Sequence, residues 1–145
     1  MFVKSILDAK DQKIITVSPN DLLQHVAYLF KHERIGFAVV IDPEFVQVGT
    51  ISERDIIHVF ADEGDLREKC VNDVMTTNIV MCGIDESLET VRQLMTEKRT
   101  RHVLVEQSGQ NVGVVSIGDL IKHSLDECRV DTNQMSNYIS GQGYN

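Results

Sequence analysis

One ten-residue pattern occurs twice in this chain. Val48-Gly49-Thr50-Ile51-Ser52-Glu53-Arg54-Asp55-Ile56-Ile57 returns 64 residues later as Val112-Gly113-Val114-Val115-Ser116-Ile117-Gly118-Asp119-Leu120-Ile121. The shared pattern is Val-Gly, two residues, Ser, two residues, Asp and two apolar residues. Upstream, Leu23, Val26, Leu29 and Phe30 align with Leu88, Val91, Leu94 and Met95 at an offset of 65. The one-residue difference falls in the turn around Pro43, where insertions cost little. Val3-Lys4-Ser5-Ile6-Leu7 likewise resembles Val71-Asn72-Asp73-Val74-Met75. A repeat of about 60 residues is too short to bury a good core alone. Two repeats, residues 1–65 and 66–127, are therefore expected to pack face to face. Residues 128–145 are polar and weakly periodic, and read as a C-terminal tail, flexible or docked on a partner.

Both copies predict the same elements. Ser18-Pro19-Asn20-Asp21 reads as a helix start, with Leu22, Leu23, Val26, Ala27 and Phe30 forming one apolar face. Phe37 to Ile41 and Val46 to Ile51 read as strands joined by a turn at Asp42-Pro43, and a second helix runs from Ser52 to about Phe60. The second copy predicts a helix over about Glu86 to Glu97, strands His102–Val105 and Asn111–Val115 joined at Gln107-Ser108-Gly109-Gln110, and a helix from Ser116. The fold class is α/β of the α+β type, two β-α-β-β-α repeats.

Composition excludes several functions. With 14 Lys and Arg against 22 Asp and Glu, the net charge of −8 opposes general nucleic-acid binding, which relies on neutralising phosphates. No apolar run approaches the roughly 20 residues of a membrane span. Met1 to Lys10 has no signal-peptide core, and Cys70, Cys82 and Cys128 form no C-x-x-C pair, so a reducing cytoplasmic location is expected. The histidines at 25, 32, 58, 102 and 123 show no metal-ligand spacing. No G-x-S-x-G or P-loop is present, and an enzyme is not expected.

Ser52-x-x-Asp55 and Ser116-x-x-Asp119 have two compatible readings. Each is a capping box, with Ser covering the helix N-terminus and the acid answering back. Each also offers free backbone N–H groups, a positive dipole end and a carboxylate that accepts hydrogen bonds from a vicinal diol such as ribose.

From about Val3 to Leu125 the chain resembles a tandem pair of cystathionine-β-synthase (CBS) domains, a Bateman module. The resemblance rests on the paired Gly-x-x-Ser-x-x-Asp segments, the lead-in Val71-x-Asp73-Val74-Met75-Thr76 and the strand Arg101-His102-Val103-Leu104-Val105. It implies a stand-alone regulatory module, with the repeats about a pseudo-twofold axis and two clefts. The implied ligand is an adenosine compound: AMP, ADP or ATP first, with NAD(H) and S-adenosylmethionine in the wider range. It implies that each cleft takes its Asp from one repeat and strand residues from the other. Ser52, Arg54 and Asp55 would face Arg101, His102 and Asn78-Ile79-Val80. Ser116 and Asp119 would face Ile35, Gly36, Phe37 and Lys13-Ile14-Ile15-Thr16. Arg101 and His102 would make the Asp55 cleft the anion-preferring one. No metal is expected. The implied partners are a regulated protein and a second copy of the chain, the latter covering Ile56, Val59, Phe60, Leu120 and Leu125. The competing function is a structural dimerisation module that binds little or no ligand.

Overall fold

The computed structural model describes residues 1–11 and 13–139. They form two compact units: residues 12–80, and residues 1–11 together with 81 onward. The unit boundaries differ from the sequence repeats because the lead-in helices are exchanged. Helix α1 (Val3–Ala9) packs with the second repeat, and α4 (Val71–Val74) packs with the first.

The 12–80 unit contains β1 (Thr16–Val17), α2 (Leu23–Glu33), β2 (Phe37–Ile41), β3 (Gln47–Ser52), α3 (Glu53–Ala61) and α4. Its sheet has the order β1-β2-β3, with β1 parallel and β3 antiparallel to β2. The other unit repeats this plan with β4 (Met81–Gly83), α5 (Leu88–Lys98), β5 (His102–Gln107), β6 (Gln110–Ser116) and α6 (Ile117–Ile139). Its sheet order is β4-β5-β6 with the same strand directions. Even the register irregularities correspond, between Val40 and Ile41 and between Val105 and Glu106.

Apolar runs explain the central strands. Ala38, Val39 and Val40 are buried, as are Val103, Leu104 and Val105. In the 12–80 unit Ala38 and Val40 share one core with Leu23, Val26 and Phe30 of α2 and Ile56 and Val59 of α3. Both first helices end on a left-handed residue, Arg34 (φ 54°) and Arg99 (φ 52°). The Ile35 N–H then donates to Phe30 O and the Thr100 N–H to Met95 O, both at 3.1 Å. This closure turns the chain sharply into the following strand.

The repeated Val-Gly has a packing cause. A Cβ on Gly49 would lie 2.8 Å from Thr76 O, and one on Gly113 would lie 2.7 Å from Leu7 Cδ2. Each glycine lets the exchanged lead-in cross its sheet closely.

Two expectations change. Ser18–Asp21 is a turn, with the Ser18 N–H donating to Asp21 Oδ2 at 2.9 Å. Helix α2 begins later, at Leu23, with Leu22 at its cap and no side-chain capping bond. A short Ser/Asp motif closes a turn as readily as it caps a helix, because the same side-chain oxygens serve both. In addition, the segment from 128 is not a separate tail as far as it is described. It continues α6 to Ile139, and residues 140–145 lie outside the described part of the chain.

Candidate functional site

The Ser-x-x-Asp segments stand where β3 and β6 run into α3 and α6. Both are capping boxes. In the first, the Ser52 N–H donates to Asp55 Oδ2 at 2.8 Å and the Asp55 N–H to Ser52 Oγ at 3.4 Å. In the second, the Ser116 N–H donates to Asp119 Oδ2 at 2.8 Å and the Asp119 N–H to Ser116 Oγ at 3.2 Å. Each box fixes its carboxylate at a helix N-terminus, where backbone donors and the dipole favour negative charge.

The antiparallel hairpins decide what lies beside each box. A strand that starts where its partner ends brings Phe37 opposite Ser52 and His102 opposite Ser116. The Glu53 N–H donates to Gly36 O and the Ile117 N–H to Arg101 O, both at 2.9 Å. Around Asp55 the 12–80 unit therefore gathers Gly36 and Phe37, with Ile15 tied to β2 through a 3.0 Å bond from the Val39 N–H. Ile14, Ile35, Ile79 and Val80 are partly buried in this unit, while Lys13, Thr16, Arg54 and Asn78 are exposed.

Around Asp119 the neighbours are an ammonium and an imidazole. Lys10 Nζ donates to Asp119 Oδ2 at 2.7 Å and to Val114 O at 3.0 Å. Burial pushes the Asp119 carboxyl up, but the Lys10 ammonium and the Ser116 N–H and hydroxyl outweigh it. Together they hold the group below the ordinary carboxylate range. His102 is pushed down to about 4, first by burial and then by Lys10 and Arg101, against an upward pull from Asp119. It is neutral at pH 7.

Comparison with known proteins agrees with this doubled architecture. The family model for the CBS domain matches residues 3–62 and 71–126. The chain belongs to the CBS-domain family.

Among curated CBS relatives, the CBS domain-containing protein YhcV of Bacillus subtilis is 31% identical over 139 residues, covering 96% of this chain and 91% of YhcV. A CBS-domain-containing protein from Agrobacterium tumefaciens is 35% identical with a TM-score of 0.80, covering 83% of this chain and 91% of its own. A signal-transduction protein with CBS domains from Burkholderia ambifaria is 32% identical with a TM-score of 0.83, covering 87% and 95%. Two more distant structures share the fold and carry adenosine compounds. The CBS-domain protein of Pyrobaculum aerophilum complexed with AMP is 22% identical, with a TM-score of 0.73 and coverage of 82% and 89%. The CBS domain pair of protein MJ0100, with 5′-methylthioadenosine and S-adenosyl-L-methionine, is 23% identical, with a TM-score of 0.76 and coverage of 88% and 98%.

Within this CBS pair, the units group the site residues differently from the pairing that the resemblance implies. Arg101 and His102 lie in the same unit as Ser116 and Asp119. Lys13–Thr16 and Ile35–Phe37 lie in the same unit as Asp55, whereas Asn78–Val80, expected with Asp55, do share its unit. The reason is the hairpin register, which sets a strand's start beside its own partner's end. The residue missed by sequence reasoning is Lys10. The signal was present: the lead-in offset of 68 places Lys10 at the position of Asn78 in the other copy. At the other offsets, Arg101 stands for Gly36, His102 for Phe37 and Ile117 for Glu53. The copies therefore differ in charge at equivalent positions.

The residues expected under a second copy also separate. Ile56, Val59 and Leu120 are buried in their own units, so they are core. Phe60 and Leu125 are exposed, with Ile57 and Ile121 beside them in sequence on the same helices. Cys82 is buried, and burial followed by Glu86 pushes its thiol up to about 11, the opposite of an activated nucleophile. Among the described residues no His, Cys, Asp and Glu cluster could hold a metal, and no helix is long and apolar enough to cross a membrane.

Proposed function

We propose that this CBS pair is a regulatory module that binds a phosphorylated adenosine ligand and signals its occupancy to a separate protein. The observation that carries the reading is the grouping of Lys10 and His102 about the capped Asp119, with Arg101 next to His102 at the strand start. The carboxylate suits a ribose diol, and the two permanent cations suit the attached phosphate. AMP in the Pyrobaculum aerophilum protein supports a phosphorylated adenosine ligand, and the two adenosine compounds in MJ0100, which lack a phosphate, support the adenosine part alone. ADP, ATP and NAD(H) share the ribose phosphate that this site would read. The Asp55 site, with Gly36, Phe37 and Glu53 at the equivalent positions, is the weaker site for an anion. The anion preference thus belongs to the Asp119 site rather than to the Asp55 site that the resemblance implies. The reading assigns no bond-making chemistry to the chain and places it in a homodimer.

A thermal-shift panel tests this. AMP, ADP, ATP, NAD, NADH, S-adenosylmethionine and adenosine are each added at millimolar concentration. A ligand that binds only the native state raises the melting temperature by mass action, by about 2.7 kcal/mol of stability at a hundredfold excess over Kd. The phosphorylated compounds should shift the transition more than adenosine. A panel without any shift supports a dimerisation module instead.

A further inference from the structure

Helices α3 and α6 start at equivalent positions, yet α3 ends at Ala61 while α6 continues to Ile139. The position equivalent to Ala61 is Leu125, and the family match stops at 126. The added part of α6 is thus outside what the CBS fold requires. Its first turns are anchored by buried Leu120 and half-buried His123.

A second stripe runs along the rest of the helix. Ile121, Leu125, Cys128, Thr132, Met135 and Ile139 alternate in steps of four and three, the a and d positions of a heptad. All six are exposed, with Ile121 at 54%, Leu125 at 55%, Met135 at 66% and Ile139 at 80%. Val130 is exposed off the stripe. Thr132 is the one polar member, and its hydroxyl donates to Cys128 O at 2.8 Å. A 3.5-residue repeat of this kind matches another helix carrying the same repeat, and a second copy of this chain supplies it.

Charge selects the orientation. In an antiparallel pair with Ile121 opposite Ile139, Leu125 meets Met135 and Cys128 meets Thr132. The flanks then set Arg129 against Arg129 and Asp131 against Asp131. In a parallel in-register pair, Arg129 lies beside Ser124 and Asp131 beside Ser136, and no like charges meet. We propose that the α6 extensions of two copies form a parallel, in-register two-stranded coiled coil through the 121–139 stripe. Because α6 grows out of a folded body, its costly first turn is already formed, so a short seam suffices.

The test is cysteine cross-linking of the full chain under a mild oxidant. Wild-type protein should give a covalent dimer through Cys128, lost in Cys128→Ser and kept in Cys70→Ser. In a Cys128→Ser background, Met135→Cys should restore the dimer, because only a parallel in-register pair sets the two 135 positions side by side. The double variant Met135→Lys/Ile139→Lys should lower the Cys128 cross-link at least tenfold while circular dichroism and melting of the body stay unchanged. Absence of the Met135→Cys dimer overturns the proposal, as does a Cys128 cross-link that survives the two lysines. A covalent dimer only in the presence of another protein would assign the stripe to that protein and overturn it equally.

Discussion

Replacing Lys10 with methionine removes one ammonium and keeps most of the aliphatic stem. In the native protein that ammonium is 2.7 Å from Asp119 Oδ2, with the two side chains only 19% and 22% exposed. The variant leaves Asp119 with its Ser116 contacts alone, in surroundings that already disfavour its charge. Loss of a partly buried charge-assisted hydrogen bond costs about 1.5–3 kcal/mol. For a chain of this size that lowers the melting temperature by roughly 5–10 °C at pH 7. The pH dependence has a definite sign. The folded Asp119 pKa is depressed, so its stabilisation is present above the unfolded carboxylate value and is lost as pH falls through the folded value. The gap between wild type and Lys10→Met should therefore be widest near neutrality and shrink in acid. Exposed Lys31→Met is the control for a simple loss of charge. Calorimetric melting at pH 7 and in steps below pH 4 reads both effects. Equal melting temperatures for Lys10→Met and wild type at pH 7, or a gap that persists unchanged in acid, would refute the coupling.

Two further outcomes follow from the same cluster. His102 is depressed from 6.5 to about 4, so the unfolded chain binds its proton first. Stability should fall as pH drops from about 6.5 towards 4, by at most about 3 kcal/mol; His102→Gln should flatten that limb, and an unchanged limb would assign the loss to other groups. Arg101→Ala should weaken AMP about tenfold or more and leave adenosine nearly unchanged; equal losses for both would remove Arg101 from the phosphate.

The duplication was legible because hydrophobic pattern and capping chemistry are local. Gly49 and Gly113, the two Ser-x-x-Asp boxes and the β-rich runs each declare themselves within ten residues. Packing partners far apart in sequence did not. The only sign that Val3–Ala9 bears on the second repeat is its weak likeness to Val71–Met75, too faint to assign Lys10, 109 residues from Asp119, to its site. The grouping of Arg101 with Asp119 follows from hairpin register, which the turn Ser108-Gly109 makes readable in principle: both residues have positive φ, 53° and 79°, as a two-residue hairpin turn demands. Helix α6 hid its length because Asp131, Thr132, Asn133 and Gln134 are all polar, the seam position Thr132 included, and the apolar seam shows only on either side of them. A seam of two positions in seven is a much weaker signal than the broad face of α2.

Isothermal titration of AMP into the wild-type chain and into Asp119→Ala, with Asp55→Ala beside them, bears most directly on the account. Wild type should bind AMP saturably. Asp119→Ala should lose ten- to a hundredfold in affinity, the equivalent of roughly 1.5–3 kcal/mol, beyond the effect of the lost cap on melting. Asp55→Ala should lose stability through its cap and retain the stronger AMP site. Undiminished AMP binding by a folded Asp119→Ala, or no binding of AMP by the folded wild type, would contradict the assignment of the Asp119 cluster as the nucleotide site.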